Sequence, residues 1–327
     1  MKRPSLDDCP HRLALTLLGR HVTLATNSFR IHQILSDTYA SRVFAPDQTG
    51  QRIPFMCQYR PADGVEAAFW TPRAGYLASR SPDDPSVFSL ARVEAGTVLD
   101  AGTFGAEDRA ADVNDETTLE LFAIHFQRRV LDHLLREQPW VRLVHAGAVV
   151  RDGVGVLILA PTKGGKTTLS VAATIAGMQF MSDDLSAVDL DRGMILPFTR
   201  ATRLRKGTLE TEPEFASLPA STVVDLRGET RYYVHPEDVR DDALGRETPL
   251  THVMRIVGFG RTPSFFPVGA GMMAGQLVEA DCFATGRDAL ALMWQWGAIM
   301  NGMECADLVA GPPMDTARLL LEYTGCA

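Results

Sequence analysis

Two short runs hold the clearest chemistry in this 327-residue chain: Ala160-Pro161-Thr162-Lys163-Gly164-Gly165-Lys166-Thr167 and the pair Asp183-Asp184. The first fits G-x-x-x-x-G-K-[ST] except at its opening position, where Ala160 replaces glycine with another small residue. Glycines in such a loop let backbone N–H groups turn inward and approach phosphate oxygens closely. Lys166 is placed to bridge the β- and γ-phosphates, and the hydroxyl of Thr167 to ligate Mg²⁺. The chain has four lysines, Lys2, Lys163, Lys166 and Lys206, and two of them fall in this loop. Lysine is a compact point charge that fits between phosphate oxygens, so the clustering points to ATP. The expected nucleotide contacts are Ala160, Pro161, Thr162, Lys163, Gly164, Gly165, Lys166, Thr167 and Thr168.

A loop of this kind needs a strand before it and a helix N-terminus after it. Val154 to Leu159 is an apolar run that reads as a buried strand, and Thr167 to Ile175 reads as a helix ended by Gly177. Arg142 to Val150 is predicted as one strand, joined to Val154–Leu159 as a hairpin through Arg151-Asp152-Gly153. Met178 to Met181 reads as the next strand, expected to return beside the loop strand, with Leu185 to Val188 continuing extended. That return would bring Asp183, 17 positions after Lys166, to the phosphates. Ser182-Asp183-Asp184 alone would be a good turn. Beside a phosphate loop, one acid suits Mg²⁺ and the other suits the proton of an attacking hydroxyl.

Together these residues resemble the HPr kinase/phosphorylase superfamily, whose fold is related to the C-terminal part of phosphoenolpyruvate carboxykinase. The resemblance runs from His145 to about Asp189 and more weakly to about Pro267. Its residues are His145, 15 positions ahead of Ala160, then Gly153 to Ile158, the loop, Gly177 and the Asp pair, in the family's order and spacing. The resemblance implies an α/β fold: a P-loop kinase domain of the HPr kinase type over 139–327, preceded by a smaller mixed α/β domain over 1–138. It implies Asp183 as general base toward the acceptor hydroxyl, Asp184 with Thr167 as Mg²⁺ ligands, Lys166 in its phosphate-loop role, and His145 lining the site. It also implies assembly into a homo-oligomer. The family's Glu-x-Arg-Gly-Leu-Gly segment has no match: the corresponding Arg200 to Gly207 lacks the glutamate and is crowded with basic residues. That departure weighs against HPr as substrate and against phosphorylase activity. Arg231-Tyr232-Tyr233 resembles the basic-aromatic stretch of related small kinases, and reads equally as an ordinary strand.

Arg200, Arg203, Arg205 and Lys206 fit either an anionic acceptor or the ATP tail, or else a solvated face. The net charge of −8 weighs against a general nucleic-acid binder, whose surface must be basic. Five scattered cysteines without a C-x-x-C pair fit neither a disulfide framework nor a zinc site. No signal-peptide pattern and no apolar stretch of membrane-spanning length is present, so a cytoplasmic protein without a membrane partner is expected. The N-terminal part reads as short strands around Gly19 and a helix from Phe29 to Tyr39. A longer helix is predicted from Glu116 to Arg136, with Asn114 or Asp115 as N-cap. Near the end, Leu250 to Phe259 reads as a strand, and Asp288 to Ile299 as an apolar helix whose Trp294 and Trp296 belong to a core or interface. Three readings follow: a Ser/Thr kinase acting on a protein or peptide, a metabolite hydroxyl kinase, and a nucleotide-binding regulatory module that phosphorylates nothing.

Overall fold

The computed structural model describes residues 3–39, 52–59, 66–81, 83–84, 87–94, 97–105, 115–224, 230–282 and 289–326. Asn114 and Asp288, named above at helix starts, lie outside them. The fold is α/β with mixed sheets, and its described residues form two compact units, the first running to Glu137 and also taking in Val224.

In the first unit a seven-stranded sheet runs in sequence order. Its strands are β1 (His11–Leu17), β2 (Arg20–Thr26), β3 (Ile53–Tyr59), β4 (Ala67–Trp70), β5 (Gly75–Arg80), β6 (Val87–Glu94) and β7 (Thr97–Gly105). Helix α1 (Phe29–Thr38) makes the crossover that allows β2 and β3 to pair in parallel. The long helix α2 (Asp115–Glu137) buries Phe122, Phe126, Val130 and Leu134, the stripe its periodicity predicts. Phe122 meets the rings of Phe69 and Phe88 edge-on, and Phe126 stacks on Phe69.

The second unit comprises Gln138–Val223 and Thr230–Ala327. Its opening strands are β8 (Val141–Val144), β9 (Ala146–Arg151) and β10 (Val154–Leu159), followed by α3 (Lys166–Ile175), β11 (Gln179–Ser182), β12 (Ser186–Asp189) and β13 (Met194–Leu196). A small sheet of β14 (Thr202–Leu204), β15 (Ser221–Val224) and β16 (Thr230–Val234) comes next, with one-turn helices α4 (Lys206–Leu209), α5 (Pro213–Ala216) and α6 (Pro236–Val239). The chain closes with β17 (Thr248–Phe259), β18 (Ser264–Pro267), α7 (Ala270–Glu279), α8 (Ala289–Met300), β19 (Glu304–Ala310) and α9 (Pro313–Tyr323). The large sheet runs β11-β9-β10-β17-β13-β12-β8, with β19 also beside β17 and β18 beside β19.

Strand β10 is buried on both faces, as its unbroken apolar run requires. Val156 and Ile158 point into a core with α3 and α9, while Leu157 and Leu159 point into a core with α7 and α8. The loop that leaves β10 is therefore held by helices on both sides.

Two sequence expectations need correction. Arg142 to Val150 is not one strand, because it breaks at His145: Val144 pairs with Ser186 of β12, but Ala146 pairs with Leu159 of β10. Nor does the strand after the loop helix return beside β10. Hairpin strand β9 already fills that edge and β17 fills the other, so β11 pairs with β9 instead. The chain bends at Asp183-Asp184 and then runs extended as expected, as β12, which pairs with β8 and β13. Of the two tail tryptophans, Trp296 is fully buried and Trp294 is 73% exposed.

Candidate functional site

The loop from Ala160 turns sharply before entering α3. Lys163 at φ 66° and Gly165 at φ 90° both take the left-handed backbone conformation. A side chain on Gly164 would meet the Ala160 Cβ and the Pro161 carbonyl, each at 2.8 Å. Gly164 also donates its N–H to that carbonyl at 2.9 Å. The alanine at the first loop position is thus accommodated by the missing side chain four residues later.

Lys166 begins α3 with only 5% of its surface exposed. Its ammonium has three protons and all three are used. They go to the Ala160 carbonyl at 2.7 Å, the Pro161 carbonyl at 3.2 Å and His145 Nε2 at 3.0 Å. Burial pulls the ammonium below its ordinary pKa, against the opposing pull of Asp184 and Asp183. An ammonium only donates, so His145 Nε2 accepts and Nδ1 carries the ring proton. Nδ1 lies 3.1 Å from the Asp184 carbonyl oxygen and 3.2 Å from its carboxylate. His145 thus sits between Lys166 and Asp184, at the strand break that frees it from the ladder.

The aspartate bend is pinned from both ends. Ser182 and Ser186 share a hydrogen bond at 2.5 Å, and Ser186 donates to the Ala146 carbonyl at 2.8 Å. This clamp fixes Asp183 and Asp184 beside the residue that follows His145. Asp183 is buried and accepts a hydrogen bond from Thr167. Burial raises its carboxyl pKa to about 6; Asp184 adds to the rise, while Arg200 and Thr167 oppose it. The Asp184 side chain is more than half exposed.

A cavity of about 180 Å³ joins the loop, His145 and Asp184, while buried Asp183 lies behind Thr167 and does not line it. Thr162 to Thr168, His145 and Asp184 line it, together with Arg203 of β14, Arg205 at the N-cap of α4 and Thr208 of α4. Two of the four residues in the basic stretch therefore reach the loop. Lys206 pairs instead with Glu210 at 3.7 Å, and Arg200 lies over the ring of Phe198 and acts on Asp183. Arg203 rests over Tyr233, its ladder partner, so Arg231-Tyr232-Tyr233 supports the basic lining as strand β16. The serine clamp was missed from sequence, although two serines bracketing an Asp pair was the available signal.

Thr167 and Asp184 offer Mg²⁺ a hydroxyl and a carboxylate, a donor set that fits a hard cation otherwise held by phosphates and water. Among the described residues no three His, Cys, Asp or Glu side chains gather into a metal cage. Nor is any described helix long and apolar enough to cross a membrane.

No protein-family model matches the chain, and no curated protein matches it in sequence. Among solved structures, one likeness is to the Hpr(Ser) kinase/phosphatase from Coxiella burnetii. It has 14% identity over 56% of this chain and 95% of that one, with a TM-score of 0.27. That relationship is distant, and the functional reading rests on the geometry of the site.

Proposed function

We propose that this chain transfers the γ-phosphoryl group of ATP to a hydroxyl, with a serine or threonine of a protein or peptide as acceptor. The observation that carries this reading is the convergence of Lys166, Asp183 and Asp184 on one strand–loop–helix turn. Residues 139–327 then form a kinase domain of HPr kinase type, and 1–138 the smaller α/β domain before it. Cytoplasmic ATP is the donor, and a homo-oligomer is the assembly expected.

In this reading the loop amides and the start of α3 hold the phosphates. Lys166 exchanges its loop carbonyls and His145 for phosphate oxygens. Arg203 and Arg205, in the same cavity lining, balance the remaining negative charge. Thr167 and Asp184 hold Mg²⁺, which supplies charge neutralisation when bound. Asp183 takes the proton of the acceptor hydroxyl. The new O–P bond forms as the bond from the γ-phosphorus to its bridging oxygen breaks, and ADP leaves. A carboxylate with its pKa raised to about 6 is a stronger base than an ordinary aspartate and is still ionised at neutral pH. His145 orients Lys166 and Asp184 relative to each other.

The test is incubation with γ-labelled ATP, Mg²⁺ and host extract, beside the Asp183→Asn variant. Label on a polypeptide that depends on Asp183 is the expected result. Label confined to small molecules would make the protein a metabolite kinase. Free phosphate alone, or no signal above the variant, would leave a nucleotide-binding module and sink the kinase reading.

A further inference from the structure

A second and larger cavity, about 420 Å³, adjoins the first. His145 lines both, and the second also touches Ala160 and Pro161, where the loop opens. Strand register fixes its floor. Leu159 of β10, Arg255 of β17, Asp307 of β19 and Phe266 of β18 are paired in one row across four strands, so their side chains share one sheet face. Over that row lies α7, whose Met272, Gln276 and Glu279 fall at helical spacing on a single stripe. Arg255 ties floor to helix, with Nη2 3.8 Å from the Met272 sulfur.

The charge of this cavity is opposite to that of the phosphate pocket. Arg255 donates twice to Asp307, at 2.8 Å each, so its charge is already matched. Gln276 donates to Glu279 at 3.2 Å, and that exposed carboxylate shares the one guanidinium with Asp307, so two carboxylates face a single cation. The phosphate pocket instead collects Lys163, Lys166, Arg203 and Arg205 against Asp184. An anion is drawn to the first and repelled from the second. Around the second lies an apolar shelf. Phe266 and Met272 are each more than half exposed, and Met293 of α8 borders the α7 stripe at Gly275. Trp294, next along α8, is also exposed.

We infer that this cavity receives the acceptor, and that the acceptor is a polypeptide segment with a basic side chain and apolar side chains flanking its serine or threonine. The inference rests on the kinase reading above. The hydroxyl enters beside His145 and the loop opening, the basic side chain meets Glu279, and the apolar ones cover Phe266, Met272 and Met293. A small metabolite would fill the cavity but leave the shelf bare. An acidic segment would meet Glu279 with like charge.

The experiment gives the full-length protein γ-labelled ATP, Mg²⁺ and peptide pools with one central serine. One flanking position is fixed as Lys, Leu or Glu, and the rest are varied. The Lys and Leu pools should be labelled about fivefold above the Glu pool, the scale of one exposed charge pair. Glu279→Lys should turn the charge preference toward the Glu pool, with ATP affinity by calorimetry unchanged. Met272→Asp should raise KM for the Leu pool. A wild-type preference for Glu, or an order that Glu279→Lys leaves intact, would overturn the inference. So would ATP binding without label on any pool. Absence of ATP binding would instead remove the kinase reading itself.

Discussion

Lys166 and Asp183 carry opposite charges into the same buried corner, and each is expected to fail in its own way. Replacing Lys166 with alanine removes charge-assisted contacts to phosphate, each worth roughly 1.5–3 kcal/mol. ATP affinity by calorimetry should fall about ten- to a hundredfold; unchanged affinity would refute the loop assignment. Asp183→Asn should keep ATP binding and lower transfer by about a hundred- to ten-thousandfold. Because the base works only when ionised, wild-type kcat should rise with pH through about 6 and then level off. The same shift has a stability cost. The folded protein holds this proton more tightly than an ordinary aspartate of pKa 3.8, so stability declines as pH rises from about 4 through about 6. At neutral pH the buried carboxylate costs roughly 3 kcal/mol. Asp183→Asn should therefore raise Tm at pH 7.5 and leave it nearly unchanged at pH 4. An equal effect at both pH values would show that the carboxyl is not perturbed.

At the scale of elements, the loop was legible because its chemistry is local: eight contiguous residues specify the turn, the charge and the helix start. Gly164→Ala tests that turn directly. Its Cβ would press on Ala160 and the Pro161 carbonyl, and overpacking of this kind costs about 1–3 kcal/mol. Nucleotide affinity should drop and Tm fall, and a second change, Ala160→Gly, should recover part of both. No recovery would mean the Ala160 contact is not the one that matters. What sequence did not disclose was partner choice. The break at His145 and the placement of β11 beside β9 depend on which strand edges distant segments already occupy. Likewise Arg203 and Arg205 read as an ambiguous basic run until β14 and β16 pair and turn them to the loop.

Across the whole molecule, the two tail tryptophans show how unevenly stability is distributed. Trp296 is fully buried in the core shared by β10, α7 and α8, and its replacement by alanine should cost about 3–5 kcal/mol. Trp294→Ala, on the exposed face of the same helix, should shift Tm little. Comparable losses from both would place Trp294 inside an interface between copies. Helical periodicity marked the helix but not which tryptophan faces inward, because α8 is apolar nearly all round. Strand β17 has a consequence of a different kind. It lies against β10, β13 and β19, yet begins 89 positions after β10 ends. A ribosome therefore releases the entire phosphate-loop motif long before that loop has its scaffold. In the interval β10 offers an apolar, unpaired edge of the sort chaperones shield. A premature stop anywhere between Thr168 and Thr248 would leave a polypeptide with every motif residue of the loop and without the strand that flanks it.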